Sequence, residues 1–217
     1  MTSKIILVLG MHRSGTSALC GVINRMGAYI GGNLMAPSKD NEKGYYENVD
    51  ICHVNEYILS KLNSSWYDTE KLVINNNNYE LHILLEYVIK STFGTNKIIA
   101  IKDPRICLLL SLYKDVLTAM GYEIHTIKTY RKKRAIAKSL MERKEPKEFT
   151  LKQYKMLIDK YNSFISKEKC PIVSYDDLLN KTEKKILYIK KNFDFLNYND
   201  EAVESIKTFL DKSLKHH

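Results

Sequence analysis

Five apolar residues in a row, 5–9, run without alternation into Gly10. That is the pattern of a strand buried on both faces. Beyond a short loop, Ala18, Leu19, Val22, Ile23 and Met26 recur at helical spacing, and Gly27 supplies a stop. A strand that enters a helix through a glycine-bounded loop turns backbone N–H groups and a helix N-terminus toward one point. Such a point suits an anion, most often a phosphate.

The loop has P-loop spacing, Gly10-x-x-x-x-Gly15 followed by Thr16-Ser17, but Thr16 stands where G-x-x-x-x-G-K-[ST] places its lysine. The cation lies inside the loop instead, at Arg13 beside His12. Without that lysine, a nucleotide hydrolase lacks its contact to the β- and γ-phosphates. The loop therefore points to a phosphate-bearing ligand rather than to ordinary ATP or GTP turnover.

The formal net charge of +9 over 217 residues suits an anionic cofactor, an anionic acceptor, nucleic acid or a membrane surface, and does not choose among them. Four scattered cysteines, with no C-x-x-C pair, argue against a zinc site or a disulfide framework and fit a reducing compartment. No stretch approaches the roughly 20 apolar residues of a membrane span. The N-terminus runs straight into a strand rather than reading as a signal peptide. A cytoplasmic protein is the expectation.

Along the chain, residues 28–47 carry Gly31-Gly32, Pro37 and Gly44 and read as an irregular loop. Glu47 ends it. An acid there favours the macrodipole of the following helix, expected over 48–62, or belongs to a ligand crevice. A loop at 63–79 includes four consecutive asparagines, 75–78, and a helix is expected over 80–93. Residues 97–101 form a second unalternating strand that runs into Lys102-Asp103-Pro104-Arg105. Polar groups at the C-terminal end of a buried strand sit where open α/β sheets bind ligands, although a charged turn is the plainer reading. A helix over 107–120 and a third strand over 122–130 lead to Arg131-Lys132-Lys133-Arg134 and a helix over 135–143. If the turn at Arg131 folds back, Ser139 comes near it. Thr150-x-x-Gln153 is a capping box. A short strand at 171–174 and helices over 175–179, 183–193 and 199–214 complete the chain, which ends in His216-His217. Strands alternating with helices predict an α/β fold: a P-loop-type, mainly parallel sheet of four to five strands, flanked by helices on both faces. Residues 1–217 read as a single domain.

Three of these motifs, in this order, resemble the sulfotransferases that use 3′-phosphoadenosine-5′-phosphosulfate (PAPS). GMHRSGTSAL resembles their 5′-phosphosulfate loop. Arg131 and Ser139, eight apart across a strand–helix turn, resemble their 3′-phosphate pair. PIVSYDDLLNKTEKKILYIKKNFDF resembles their C-terminal strand and amphipathic helix. The resemblance implies that His12, Arg13, Ser14, Gly15, Thr16 and Ser17 hold the phosphosulfate and that Arg131 and Ser139 hold the 3′-phosphate. KDPR is similar to the lysine-bearing strand end of protein-tyrosine sulfotransferases, which implies that Lys102 neutralises the leaving phosphosulfate. NEKGYYE is similar to a loop that carries a catalytic glutamate in several bacterial and Golgi-type members, which implies Glu47 as the base.

The implied activity is sulfuryl transfer from PAPS, without a metal, to a hydroxyl or amine of an acceptor. A carbohydrate or polysaccharide is one candidate, and neither nucleic acid nor a membrane is called for. The chain departs from the cytosolic small-molecule members in three ways. It has Arg13 in place of their loop lysine, and no clear counterpart of their histidine base, His53 being the nearest. It has no glycine after Gly121 to form their C-terminal basic motif. A magnesium-dependent P-loop kinase, a nucleic-acid-binding module and a catalytically inert nucleotide binder are the alternatives.

Overall fold

The apolar run of β1 (Lys4–Leu9) divides its side chains between two cores. Ile5, Leu7 and Leu9 enter one apolar cluster, and Ile6 and Val8 enter the other. Successive strand residues point to opposite faces, so an unbroken apolar run requires cover on both. The structure, a computed structural model, describes residues 2–39, 41–74, 78–144 and 148–210. The first three asparagines of the four-asparagine run, the end expected for the last helix and the His216–His217 pair lie outside these residues.

β2 (Ile98–Lys102), β3 (Glu123–Tyr130) and β4 (Ile172–Ser174) complete a parallel sheet in the order β2-β1-β3-β4. The chain leaves β1 for a neighbour on one side and later returns to its other side. That reversal opens a crevice at the carboxyl ends of the strands. Val8 is in register with Lys102 and Leu9 with Lys128, so the ends of β1 and β2 and the polar tip of β3 meet at one edge.

One face of the sheet is covered by α2 (Val49–Lys61), α3 (Tyr79–Phe93), α4 (Leu110–Ala119), α5 (Lys133–Arg143) and α6 (Leu151–Phe164). The other is covered by α1 (Thr16–Arg25), α7 (Tyr175–Asn180), α8 (Thr182–Asn192) and α9 (Asp200–Phe209). The α/β architecture expected from the sequence is present, with four strands among the described residues.

Most element ends fall within a residue or two of expectation, and two of the differences bear on the crevice. β2 runs one residue further and includes Lys102, which stays in register with β1. The helix expected from residue 107 is preceded by a single 3-10 turn, Pro104–Cys107, and α4 begins only at Leu110. The Asp103 side chain accepts from the Arg105 N–H and starts that turn. The segment 28–47 is irregular as expected, with Tyr29 bridging to Ile99 along the outer edge of β2.

Candidate active site

The loop between β1 and α1 needs its glycines for space as well as for backbone angle. A Cβ on Gly10 (φ +155°) would lie 2.2 Å from Thr129 Oγ1, and one on Gly15 (φ +97°) 2.5 Å from the Tyr175 ring. Between them, Arg13 adopts a left-handed conformation at φ 67°, which a side-chain-bearing residue holds only when its surroundings enforce it. Ser14 does so. Its N–H and hydroxyl both donate to the Met11 carbonyl, at 3.1 and 2.6 Å, and its Oγ lies 2.8 Å from Thr129 Oγ1. Ser14 thus fastens the turn, with its side chain buried outside the cleft wall.

The loop ends at the N-terminus of α1. Unlike α2, α7 and α9, this helix has no side-chain cap and no acid in its first turn. The first N–H groups of a helix have no acceptor within it, so here the loop and helix start offer donors and positive dipole to an anion. Gly15, Thr16 and Ser17 line the cleft at this point, beside His12 and Arg13.

Further segments bring charge to the same cleft. Lys102, at the tip of β2, forms a buried ion pair with Glu47 Oε1. Its ammonium also donates to Ser17 Oγ at 3.2 Å and to the Tyr45 carbonyl at 3.1 Å. Glu47 therefore faces a strand-end lysine, and Asn48 is the residue that caps α2. Arg131, buried just past β3, donates to the Arg13 carbonyl at 2.8 Å and lies over the Tyr175 ring at 5.0 Å. Burial pulls its pKa below the ordinary arginine value. Ser139 accepts from Arg13 Nε at 2.9 Å. Arg131 and Ser139 thus meet at Arg13, one holding its backbone and the other its side chain. Lys132 and Arg134 are exposed.

His12 lines the cleft, yet its Nε2 is buried with no hydrogen-bond partner among the described residues. Its ring stacks on Trp66 at 4.4 Å and meets Tyr161 edge-on at 6.2 Å. Burial, then the charges of Arg105, Lys102, Arg13 and Arg143, push its pKa well below the usual histidine value, so the imidazole is neutral near pH 7. His53 is exposed on α2 and does not line the cleft.

Behind Glu47 lies a second layer. Arg105 donates from Nη1 to both oxygens of Asp103, at 3.0 and 3.1 Å, and from Nη2 to Glu56 at 2.6 Å; its Nη1 approaches Glu47 Oε2 at 4.0 Å. Burial works against that guanidinium, but Asp103, Glu56 and Glu47 more than offset it and raise its pKa. Asn55 Nδ2 donates to Asp103 Oδ2 at 3.1 Å. Ligand atoms of Glu47, Cys52 and Asp103 come within 4.8 Å of one another. The space around their oxygens is taken by Lys102 and Arg105, which a metal ion would have to displace. Asp103, the acid that a P-loop kinase would offer to magnesium, is committed to Arg105 and Asn55.

The sequence reading passed over several wall residues. Arg143 lines the cleft one helical turn beyond Ser139, a spacing that was readable. Tyr175 lies within the C-terminal segment PIVSYDDLLNKTEKKILYIKKNFDF. Phe209 and Leu210, at the end of α9, also form wall, and no local pattern marks them. Phe209 seats against Gly21 of α1, where a Cβ would come within 2.4 Å of its ring. The Arg25 guanidinium stacks on that ring at 3.9 Å and donates to Tyr46 Oη at 3.1 Å.

No family model matches the chain, and no curated protein matches it. Solved structures do. The sulfotransferase STF1 from Mycobacterium tuberculosis H37Rv aligns over 96% of this chain and 72% of its own, with a TM-score of 0.52 and 16% identity. The sulfotransferase domain from the curacin biosynthetic pathway aligns over 94% and 77%, with a TM-score of 0.54 and 14% identity. The sulfotransferase domain of the Synechococcus PCC 7002 olefin synthase aligns over 99% and 87%, with a TM-score of 0.56 and 14% identity. At these identities the likeness is one of architecture, and the chain has the fold of these sulfotransferases.

Proposed function

We propose that the chain is a sulfotransferase that moves a sulfuryl group from PAPS to a hydroxyl or amine of an acceptor. One observation carries the reading: Arg13, Lys102, Arg131 and Glu47, from four separate segments, converge on one cleft at the uncapped N-terminus of α1. The fold shared with three sulfotransferases supports it. So do Gly15, Thr16 and Ser17, which line the cleft at the start of α1, a helix with no acid in its first turn.

When bound, PAPS supplies an activated sulfuryl group, whose sulfur exchanges its bond to the 5′-phosphate oxygen for one to the acceptor oxygen. The residues of the chain divide the remaining work. Loop N–H groups and Arg13 hold the 5′ end. Arg131 and Ser139 hold the 3′-phosphate. Tyr175, Leu179, Phe209 and Leu210 offer the base an apolar wall. Lys102 turns from Glu47 toward the leaving phosphate and neutralises the charge that collects there. The Oε1 of Glu47, released by that movement, takes the acceptor proton. A positioned base is typically worth about 10²–10⁴ in rate, and a preorganised cation at developing charge about 10²–10³.

Calorimetric titration tests the reading. 3′-Phosphoadenosine-5′-phosphate (PAP) should bind tightly, adenosine-5′-phosphosulfate weakly and ATP with magnesium weakly or not at all. Preference for ATP–magnesium would promote the kinase instead. Transfer of radiolabelled sulfuryl from PAPS to a panel of carbohydrate and small-alcohol acceptors then separates an enzyme from an inert nucleotide binder.

A further inference from the structure

Cys52 is buried but belongs to neither apolar core cluster. It sits on α2 five residues beyond Glu47, and its Sγ–H donates to Glu47 Oε2 at 3.4 Å. Arg105 Nη1 stands 4.0 Å from that same oxygen. Glu47 and Lys102 line the cleft, whereas Cys52 and Arg105 do not. The two oxygens of one carboxylate are therefore treated differently. Oε1 faces Lys102 on the cleft side, and Oε2 is held from behind by a thiol and a guanidinium.

From this asymmetry we infer that Cys52 is a positioning residue for Glu47: its thiol anchors Oε2, so that Oε1 alone exchanges Lys102 for the acceptor proton. The inference rests on Glu47 being the base. An S–H donor suits the task because it is small and weak. It orients the carboxylate and favours its charged form while drawing off less of the basicity that proton transfer needs than a charged donor in its place would. Burial first, then Asp103 and Glu47, push the thiol well above the ordinary cysteine value, so it remains S–H across the working range.

The other groups around Glu47 leave this donor a distinct part. Lys102 and Arg105 are the cations, and Asp103 and Glu56 are committed to Arg105. Cys20 on α1 and Tyr161 on α6 feel the Glu47 charge, and burial keeps both protonated, Cys20 up at about 12. His12 is neutral. None of Cys20, Tyr161 and His12 donates a hydrogen bond to Oε2 among the contacts present.

The test is a carboxyl titration, which needs no turnover. The full chain is labelled with 13C at the glutamate carboxyl, saturated with PAP and titrated from about pH 3 to about pH 8, a range spanning the usual carboxylate values. Glu47→Gln assigns the resonance. In Cys52→Ala the Glu47 midpoint should rise by about half a pH unit or more, since a donor to the charged form is gone. In Cys52→Ser, which keeps a donor, it should stay at or below the wild-type value. If Cys52→Ala does not fold, Cys52→Val keeps the volume and makes the same prediction. A midpoint in Cys52→Ala or Cys52→Val equal to wild type overturns the inference, as does a midpoint in Cys52→Ser that rises with them. Undiminished sulfuryl transfer by Glu47→Gln would remove the base reading alone, because the titration shifts stand independently of it.

Discussion

Lys102 and Glu47 lie 55 residues apart and close an ion pair beneath the cleft, their side chains only 3% and 6% exposed. A lysine at the last position of a buried strand has few directions to turn. Here its ammonium reaches a carboxylate, a loop carbonyl and the Ser17 hydroxyl at the start of α1. The pair compensates two buried charges, and it places the proposed base and the proposed neutralising cation in contact before either acts.

Replacing Glu47 with Gln keeps the shape and a hydrogen-bonding oxygen for Lys102 but removes the proton acceptor. PAP affinity should stay within about twofold, while sulfuryl transfer falls by about 10²–10⁴. Calorimetry and a radiolabel transfer assay read the two quantities separately. Turnover near the wild-type rate would dismiss Glu47 as the base.

Lys102→Met leaves Glu47 buried without its partner, and breaking a buried pair on one side typically costs about 3–5 kcal/mol. The double variant Lys102→Met/Glu47→Gln removes both charges and should recover most of that stability. Its transfer rate should remain depressed by about 10²–10³ or more. Urea midpoints and transfer rates on the three variants decide the matter. Recovery of activity together with stability would mean that Lys102 is purely structural.

Arg131→Ala should weaken PAP binding about tenfold or more, the loss of one charge-assisted contact to phosphate. Binding of adenosine-5′-phosphosulfate, which lacks the 3′-phosphate, should change much less. A PAP dissociation constant equal to wild type would remove Arg131 from the 3′-phosphate site.

His12 gives the fold a pH dependence. Its folded pKa is pressed well below the 6.5 of the unfolded chain by burial and the neighbouring cations. Between those two values the unfolded state binds the extra proton, so stability is fully present above about pH 6.5 and is lost as pH falls toward the folded value. His12→Asn, which cannot titrate, should flatten that part of the profile. Urea unfolding at a series of pH values measures it, and an unchanged slope in the variant would assign the acid sensitivity elsewhere.

The sheet was readable because its signals are local. An apolar run such as residues 5–9, ended by a glycine, specifies a two-faced strand whatever lies beside it, and the Thr150–Gln153 capping box forms as its spacing implies. The loop glycines were equally plain. Glu47 was ambiguous, since an acid just before a helix satisfies a helix-start rule, and only the register of β2 brings Lys102 to it. Cys52 and Arg105 carried no signal of their own, because their significance lies in which oxygen of Glu47 they touch. The one-residue shift in the end of β2 follows from the pairing of Lys102 with Val8, and the 3-10 turn at Pro104 from the Asp103 side chain accepting from the Arg105 N–H. Phe209 was invisible for another reason: its partners, Gly21, Arg25 and Tyr46, are more than 160 positions away.

That last contact ties the cleft to two distant parts of the chain. The cleft takes one wall from Arg13 and another from Phe209 and Leu210. The glycine loop and α9 lie near opposite ends of the described chain, and without α9 docked on Gly21 the cleft would stand open on one side. A loop of six residues thus depends, for one wall of its cleft, on a helix more than 180 positions further along the chain.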